Sequence, residues 1–325
     1  MSDARALWIE ESGRAELREE HLPPIDDGWC RVEAIYSAVS PGTERIVASG
    51  RVPAEIAEIM RCPYMDGSFA FPVKYGYSLV GRVAEGPSSM RGRLVHVLHP
   101  HQSRCNVRIG DLRVVPEDVS AERATLASNL ETAITALWDS RIVAGERALV
   151  IGFGIVGSLV ARLLSRMPGV EVDVVDLDPL KRILATRLGF AALDAPRRDY
   201  DVAFGASGSP DEVQTAIDAV GDEGRVIELS WLGMRESRVL LGGSFHSGRK
   251  SLAASQVSHI PPFLRGRWDY ERRTRLVFSL LRDPVFERHI TRTVAFEDMP
   301  QFVEELCAGS SDGLSVTVRY NHHHV

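Results

Sequence analysis

The sequence predicts a two-domain α/β protein in which a module of short β-strands accompanies a doubly wound parallel sheet. Three observations support this fold class. Short segments before about residue 120 alternate apolar and polar side chains between Gly and Pro turns, which is typical of half-buried strands. From about residue 145, apolar strand segments alternate with helical segments, as parallel strands with crossover helices require. The length of 325 residues also allows two hydrophobic cores.

The predicted elements divide the chain into two domains. Strands are predicted at WCRVEAIYSAV, SLVGRVAEG, RGRLVHVL and DLRVVP, which together indicate a barrel-like β module. A helix is predicted in SAERATLASNLETAITALWDSRI, before Gly145, and ALVIG, VEVDVVDLD, DVAFGAS and RVIELSW are predicted as strands of the parallel sheet. Two helices and the strand LSVTVRY close the chain. We predict a β module from 1–124 with 259–325, and a nucleotide-binding domain from 125–258.

Composition excludes several classes of protein. The net charge of −6 argues against a sequence-independent nucleic-acid binder, which needs a basic surface. No apolar run reaches the ~18 residues that span a bilayer, and the N-terminus has no apolar signal core. The four cysteines are scattered without a CxxC pair. We expect a cytoplasmic protein with no membrane or nucleic-acid partner.

The motif Gly152-Phe-Gly154-Ile-Val-Gly157 predicts a dinucleotide site. The motif is informative because it follows an apolar strand and opens a helix, the context of a Rossmann domain. Gly152 permits the turn, Gly154 lets the backbone approach a pyrophosphate, and Gly157 lets helix and strand pack closely. The N–H groups of Ile155 and Val156, at the start of the helix, are expected to face the phosphates.

Asp176 supplies the expected partner of this motif. It stands nineteen positions after Gly157, at the end of VEVDVVD. A carboxylate there accepts hydrogen bonds from the ribose hydroxyls and repels a 2′-phosphate, so NAD is favoured over NADP. Lys181 and Arg182 follow closely and keep NADP open as the alternative.

The chain resembles the medium-chain dehydrogenase/reductase superfamily over nearly its whole length. The resemblance rests on VEAIYSAVSPGTE, VKYGYSLVGRVAEG, LETAITALWDS and ITRTVAFEDMPQFVEEL. The second and third segments are most similar to the subgroup around bacteriochlorophyllide dehydrogenase. The resemblance implies a GroES-like catalytic domain and a Rossmann domain with the substrate in the cleft between them. It also implies a homodimer formed by edge strands of the cofactor domains.

The zinc ligands of this superfamily have no matching residues here. The resemblance aligns the ligand positions with Ser40, with Tyr77 and Ser78, and with Ser128, where zinc prefers thiolate, imidazole or carboxylate. The four-cysteine lobe of many members is also missing between Leu98 and Arg113. We therefore predict no metal and a zinc-free oxidoreductase.

Tyr77 is the first candidate for the proton chemistry that a zinc-free enzyme needs. The resemblance places it where a zinc ligand would point at the substrate, and the nearby Lys74 is expected to lower its pKa. The alternative is that Tyr77 fills the space of the metal.

His99, Thr43 and Glu44 are the other candidates. His99 aligns with a pocket-lining position, and an imidazole titrating near neutral pH suits a proton relay, although a wall residue is equally compatible. The resemblance offers Thr43 as a hydroxyl relay, and Glu44 as either a catalytic acid or an ion-pair partner. A metal site formed by His96, His99 and His101 would need a third ligand from elsewhere, because 96 points away from 99 and 101 on a strand.

The nicotinamide half is expected near residues that follow strands of the parallel sheet, at Ser207, Ser230, Trp231 and Ser255. The predicted reaction is zinc-independent hydride transfer between NAD(P) and a small alcohol, ketone or enone. Two alternatives remain open. One is an NADPH-dependent quinone or enone reductase, and the other is a non-catalytic nucleotide-binding redox sensor or structural protein.

Overall fold

A computed structural model describes residues 4–309 and 313–321. The strands are β1 Ala4–Glu11, β2 Arg14–Glu20, β3 Trp29–Val39, β4 Asp66–Gly67, β5 Val73–Lys74, β6 Leu79–Glu85, β7 Leu94–Val97, β8 Arg104–Arg108, β9 Arg113–Val114, β10 Arg147–Ile151, β11 Glu171–Val175, β12 Ala191–Leu193, β13 Tyr200–Gly205, β14 Val220–Glu228, β15 Ser251–Ala254, β16 Ile290–Ala295 and β17 Ser315–Arg319. The helices are α1 Pro41–Ala48, α2 Ala121–Ala124, α3 Ala127–Ser140, α4 Ile155–Leu164, α5 Pro179–Arg187, α6 Glu212–Ala219, α7 Tyr270–Leu281 and α8 Met299–Cys307.

The chain divides into two compact units, 1–128 with 274–325 and 129–273. The domain limits predicted from the sequence differ from the limits of these units by four residues at the first junction and by fifteen residues at the second. The predicted limits stay a prediction. Where the sequence predicts one helix after Ser120, the structure has two, α2 and α3, separated by Thr125 and Leu126. No helix in the described ranges is long and apolar enough to cross a membrane.

The first unit contains two sheets. One has the order β2-β1-β5-β4, and the other has the order β16-β17-β3-β6-β7-β9 with β8 paired to β3. Alternation along β3 buries Cys30, Val32 and Ala34, while the residues between them are half-buried. The C-terminal strand β17 pairs with β3, so both ends of the chain contribute to one sheet. The sequence segments that predict β3, β6, β7 and β17 are confirmed as strands.

The second unit is built on a six-stranded sheet with the order β12-β11-β10-β13-β14-β15. Every neighbouring pair in this sheet is parallel. Numbered from β10, the order is 3-2-1-4-5-6, which is the doubly wound Rossmann arrangement. The predicted fold class is therefore confirmed. The order reverses between β10 and β13, and this switch point is where such sheets bind dinucleotides.

Candidate functional site

The glycine motif forms a tight turn between β10 and α4. Gly152 has a φ of +93°, a left-handed value that favours glycine, and a Cβ there would lie 2.4 Å from the Cα of Ser207. A Cβ on Gly157 would lie 2.0 Å from the carbonyl oxygen of Gly152. Neither position has room for a side chain, because backbone atoms on both sides approach too closely.

The start of α4 is shaped to receive an anion. Gly154 is the residue before the helix, and nothing lies within 4 Å of the position that a Cβ would take there. The N–H groups of Ile155, Val156 and Gly157 belong to the first helical turn, which has no acceptors within the helix. These donors and the positive end of the helix dipole fit the pyrophosphate of a dinucleotide.

Asp176 lies directly after β11 and is held against the glycine turn. Its two carboxylate oxygens accept hydrogen bonds from the backbone N–H groups of Phe153, at 2.7 Å, and Asp178, at 2.8 Å. The guanidinium of Arg182 donates to the carbonyl oxygens of Asp176, at 2.6 Å, and Leu177, at 3.1 Å. Arg182, one of the two cations that keep NADP open as the alternative, therefore already donates to backbone carbonyls.

The loops after β13 and β14 meet at one buried carboxylate. Glu212, the first residue of α6, accepts hydrogen bonds from the N–H groups of Ser207, at 2.7 Å, and Gly208, at 3.1 Å. It also accepts from the hydroxyl of Ser230 at 2.6 Å. The sequence predicted Ser207 and Ser230 but missed Glu212, whose position in the first turn of a helix after a strand was the available signal.

A second carboxyl group lies beside this one. Glu228, the last residue of β14, accepts a hydrogen bond from the N–H of Ser230 at 2.8 Å. Its other oxygen, Oε2, is buried and has no partner among the described residues. Burial, followed by the charge of Glu212, raises the pKa of Glu228 to about 8.

Trp231 and Ser255 differ in whether a side-chain hydrogen-bond donor remains for a ligand. The indole Nε1 of Trp231 is buried without an acceptor among residues 4–309 and 313–321, so a donor remains for a bound group. Ser255 donates its hydroxyl to Asp139 at 2.7 Å and its N–H to the carbonyl oxygen of Glu228 at 2.9 Å. Ser255 is thus fixed by protein contacts at the carboxyl end of β15.

In the first unit, hydroxyl groups surround Tyr77. Helix α1 begins after Ser40 and carries Thr43 and Glu44 in its first turns. The side chains of Ser40 and Thr43 hydrogen-bond the phenolic oxygen of Tyr77. Burial and the nearby Glu44 raise the pKa of Tyr77 above its usual value, so the phenol keeps its proton at neutral pH.

Lys74 does not act on Tyr77 as the sequence predicts. Its Nζ pairs with the carboxylate of Glu20 at 2.8 Å and contacts Oε1 of Gln102 at 3.2 Å. The prediction that Lys74 lowers the pKa of Tyr77 is wrong, because the ammonium is bound by Glu20 and the pKa of Tyr77 is raised.

Two positions aligned with zinc ligands, Ser78 and Ser128, donate their hydroxyl protons to backbone carbonyl oxygens. Ser78 donates to Thr125 at 2.7 Å, and Ser128 donates to Tyr77 at 2.9 Å. Both hydroxyls also contact Nε2 of the buried His96, at 3.2 and 3.3 Å. Since each hydroxyl has only one proton, His96 must donate from Nε2. These oxygens thus take part in a protein hydrogen-bond network and do not form a set that fits zinc.

Glu44 starts a second buried network. Its carboxylate accepts from the N–H of Ser40 at 2.9 Å and from Nε2 of His101 at 3.1 Å. His101 Nδ1 contacts the hydroxyl of Ser37 at 2.7 Å, and Ser37 contacts the hydroxyl of Tyr320 at 2.9 Å. A carboxylate can only accept, so His101 carries its proton on Nε2 and accepts from Ser37. The sequence considered His101 only as a metal ligand and missed this role.

His99 is a buried ring that hydrogen-bonds the backbone. Its Nδ1 lies 3.0 Å from the carbonyl oxygen of Pro100, which can only accept, so Nδ1 is protonated and Nε2 has a free electron pair for an incoming donor. The ring stacks on Tyr64 at 5.2 Å. Burial lowers the pKa of His99 to about 4. The expectation that it titrates near neutral pH is wrong for this reason.

The three histidines of the metal alternative therefore have separate protein partners. Within the described parts of the chain, no group of three or more His, Cys, Asp or Glu side chains has an arrangement that holds a metal. The donor groups at Ser40, Tyr77, Ser78 and Ser128 are hydroxyls, which are poor zinc ligands.

The sheet order, the glycine turn and Asp176 define a dinucleotide-binding protein of the Rossmann type, and comparison with known proteins agrees with this class. No model of a protein family matches the chain. The 2-desacetyl-2-hydroxyethyl bacteriochlorophyllide A dehydrogenase of Rhodobacter capsulatus is 28% identical over 215 residues, which cover 60% of this chain and 63% of that protein. The (R,R)-butanediol dehydrogenase of Bacillus subtilis is 27% identical over 129 residues, 36% of this chain and 37% of that protein. The alignments thus span less than two thirds of these relatives.

Solved structures match over a longer range. The short chain alcohol dehydrogenase rspB of E. coli CFT073, solved with NADH, superposes with a TM-score of 0.78 at 15% identity, covering 97% of this chain and 99% of that one. These relatives and structural neighbours are named as dehydrogenases, and the resemblance and the fold predicted from the sequence are confirmed.

Proposed function

We propose that the protein is an NAD-dependent oxidoreductase that transfers hydride between the nicotinamide and a small alcohol, ketone or enone without zinc. The observation that carries the proposal is the glycine turn at the switch point of the parallel sheet, with Asp176 fixed beside it. The names of the relatives support the reaction class. Because the alignments cover less than two thirds of those relatives, the activity is a proposal for this chain.

The second unit would hold the cofactor. The first-turn N–H groups after Gly154 bind the pyrophosphate, and Asp176 accepts hydrogen bonds from the adenosine ribose. The indole N–H of Trp231 is available to the nicotinamide half, and the loop at Ser207 lies against Gly152 of the glycine turn. The cofactor supplies the hydride chemistry itself, and the protein supplies binding, orientation and proton handling.

Tyr77 is the proposed proton donor to the carbonyl oxygen of the substrate. Its phenol is protonated at neutral pH, and the hydroxyls of Ser40 and Thr43 contact the same oxygen. When the proton leaves, these hydroxyls stabilise the phenolate by hydrogen bonding. Neutral His99 can accept a hydrogen bond from a substrate hydroxyl through Nε2.

The cofactor preference is testable by titration. We expect NADH to bind at least tenfold more tightly than NADPH, because the carboxylate of Asp176 repels a 2′-phosphate and Arg182 already donates to backbone carbonyls. Binding would be measured by nicotinamide fluorescence for the wild type and for Asp176→Ser, which should lose most of the preference. A tenfold preference of the wild type for NADPH would overturn the role of Asp176 and favour the quinone or enone reductase.

Zinc independence is tested separately from cofactor binding. The purified protein would be analysed for metal by mass spectrometry, and turnover would be assayed with and without a chelator on alcohols, ketones and enones. We expect turnover that the chelator leaves unchanged, because hydroxyls stand at the ligand positions. Stoichiometric zinc would refute the zinc-free mechanism. NADH binding without turnover on any substrate would favour the redox sensor.

The proposal includes the oligomeric state of the protein and its cellular compartment. The edge strand β15 is exposed along its length, including Leu252 at 40%, which supports a homodimer formed through this edge. The four cysteines are free thiols, which suits the reducing cytoplasm.

A further inference from the structure

Glu212 connects two loops that follow neighbouring parallel strands. Its carboxylate accepts two backbone N–H groups from the loop after β13, at Ser207 and Gly208, and the side-chain hydroxyl of Ser230 from the loop after β14. The Ser230 oxygen also accepts from the N–H of Gly208 at 3.0 Å, which closes a ring of hydrogen bonds. With 3% of its surface exposed, Glu212 has few alternative partners in solvent.

An ordinary helix-capping role does not account for these contacts. Acidic residues in the first turn often stabilise a helix through its dipole or by bonding the N–H groups of that turn. The hydrogen bonds of Glu212 join two loops instead. One loop, with Ser207 and Gly208, precedes α6, and the other, with Ser230, follows β14. The carboxylate therefore fixes one loop relative to the other.

These two loops adjoin the half of the fold that would receive the nicotinamide. The glycine turn and Asp176 belong to the first βαβαβ half of the sheet, which binds the adenosine mononucleotide. The loops after β13 and β14 belong to the second half. Ser207 also lies against Gly152, so the loop that Glu212 fixes touches the motif at the switch point.

Glu228 lies beside this arrangement, and burial followed by the charge of Glu212 raises its pKa. Its Oε1 accepts from the N–H of Ser230, the residue whose hydroxyl donates to Glu212. A protonated carboxyl beside Glu212 avoids the repulsion of two buried negative charges. The carboxylate oxygens of Glu212 accept hydrogen bonds from three donors, and such bonds stabilise a carboxylate.

We propose that Glu212 is a positioning residue that orders the two nicotinamide-side loops, and that it sets the affinity for the complete dinucleotide but not for its adenosine half. This inference rests on the proposed function. Glu212 acts through Ser207, Gly208 and Ser230 rather than by contact with the cofactor.

The test compares two ligands on matched variants. Dissociation constants for NADH, by fluorescence, and for ADP, by calorimetry, would be measured on the wild type, Glu212→Gln and Glu228→Gln. Glu212→Gln replaces one acceptor oxygen by an N–H₂ group, which cannot accept the hydrogen bonds of the loops. Glu228→Gln has the shape of a protonated carboxyl group. We expect Glu212→Gln to weaken NADH about tenfold and ADP less than twofold. Glu228→Gln should change both by less than twofold.

Ser230→Ala is a less disruptive variant, and it tests the inference if Glu212→Gln fails to fold. It removes one of the three donors and should weaken NADH about threefold with ADP unchanged. Equal weakening of NADH and ADP in both Glu212→Gln and Ser230→Ala would overturn the inference, since it indicates general destabilisation of the unit. Unchanged NADH affinity would overturn it as well. Failure of the wild type to bind either ligand would overturn the proposed function and the inference together.

Discussion

The family resemblance aligns Tyr77, Ser78 and Ser128 with zinc-ligand positions, and in the structure each of them has a defined protein partner. The two serine hydroxyls donate to backbone carbonyls and accept from His96, while Tyr77 contacts Ser40 and Thr43. Ser78 and Ser128 are therefore committed to structure. Tyr77 differs because its partners are two hydroxyl side chains, and it is the residue on which the proposed chemistry depends.

Tyr77→Phe should lower kcat about a hundredfold while leaving the dissociation constant for NADH unchanged. The substitution removes the proton donor but keeps the ring, and general acid catalysis contributes at least this much. Steady-state kinetics and fluorescence titration would measure the two quantities. Tyr75→Phe is the matched control, since Tyr75 lies 6.0 Å away and contacts Cys62. Loss of activity in the control alone would contradict the role of Tyr77.

His99 should make stability fall in mild acid. Its pKa is about 4 in the folded protein and near 6.5 in an unfolded chain, so the unfolded state binds more protons between these values. The free energy of unfolding therefore rises with pH from about 4 to 6.5, and this contribution is lost as the pH falls. At pH 5 the loss is about 2 kcal/mol relative to pH 8.

Thermal unfolding of His99→Gln at pH 5 and pH 8 measures this contribution. The variant should show a smaller difference in Tm between the two pH values than the wild type, because it cannot bind the extra proton on unfolding. The exposed His21→Gln serves as the control and should behave as the wild type. An undiminished difference in Tm for His99→Gln would refute the assignment of His99 as a buried neutral ring.

At the scale of elements, the strand–turn–helix around the glycine motif was predictable in detail. The apolar strand, the glycine spacing and the acid nineteen residues on are all local in sequence, and so the sequence shows them directly. The loops that Glu212 joins were not predictable. Ser207 and Ser230 are separated by 23 positions, and only the pairing of β13 with β14 brings them together.

Gly157→Ala and Gly154→Ala should separate stability from binding within this element. A Cβ at Gly157 meets a backbone oxygen at 2.0 Å, so Gly157→Ala should lower the free energy of unfolding by about 3 kcal/mol. Gly154 has a φ of −79° and open space around it, so Gly154→Ala should fold normally and bind NADH more weakly. Chemical denaturation and NADH titration of both variants check this. Equal stability of the two variants would contradict it.

At the scale of the whole molecule, the parallel sheet ends in β15, whose outer edge pairs with no other strand among residues 4–309 and 313–321. Strand β15 has all four residues exposed, and its Leu252 is an apolar side chain on that edge. Exposed edges of this kind pair with another chain unless they are protected. The homodimer that the family resemblance implies would use this edge.

Leu252→Glu should shift the protein from the mass of two chains toward that of one, as measured by light scattering at micromolar concentration. Opposed carboxylates across a two-fold interface repel, and an apolar contact is lost as well. Ile183→Glu changes a residue that is 48% exposed on α5, which packs beside β12 at the opposite edge of the sheet, and it should leave the mass unchanged. A wild type with the mass of one chain would contradict the proposed dimer.

The sequence by itself determined the fold class, the glycine turn, Asp176 and the lack of metal-ligand residues at Ser40, Ser78 and Ser128. These features depend on local periodicity, on spacing or on residue type, all of which are readable along one chain. Tertiary structure alone decided that Glu20 pairs with Lys74 and that burial keeps His99 neutral. The physical reason is that the partners and the burial of a side chain depend on strands that are distant in sequence. Partners and burial determine which atom carries a proton and how much free energy a buried charge requires.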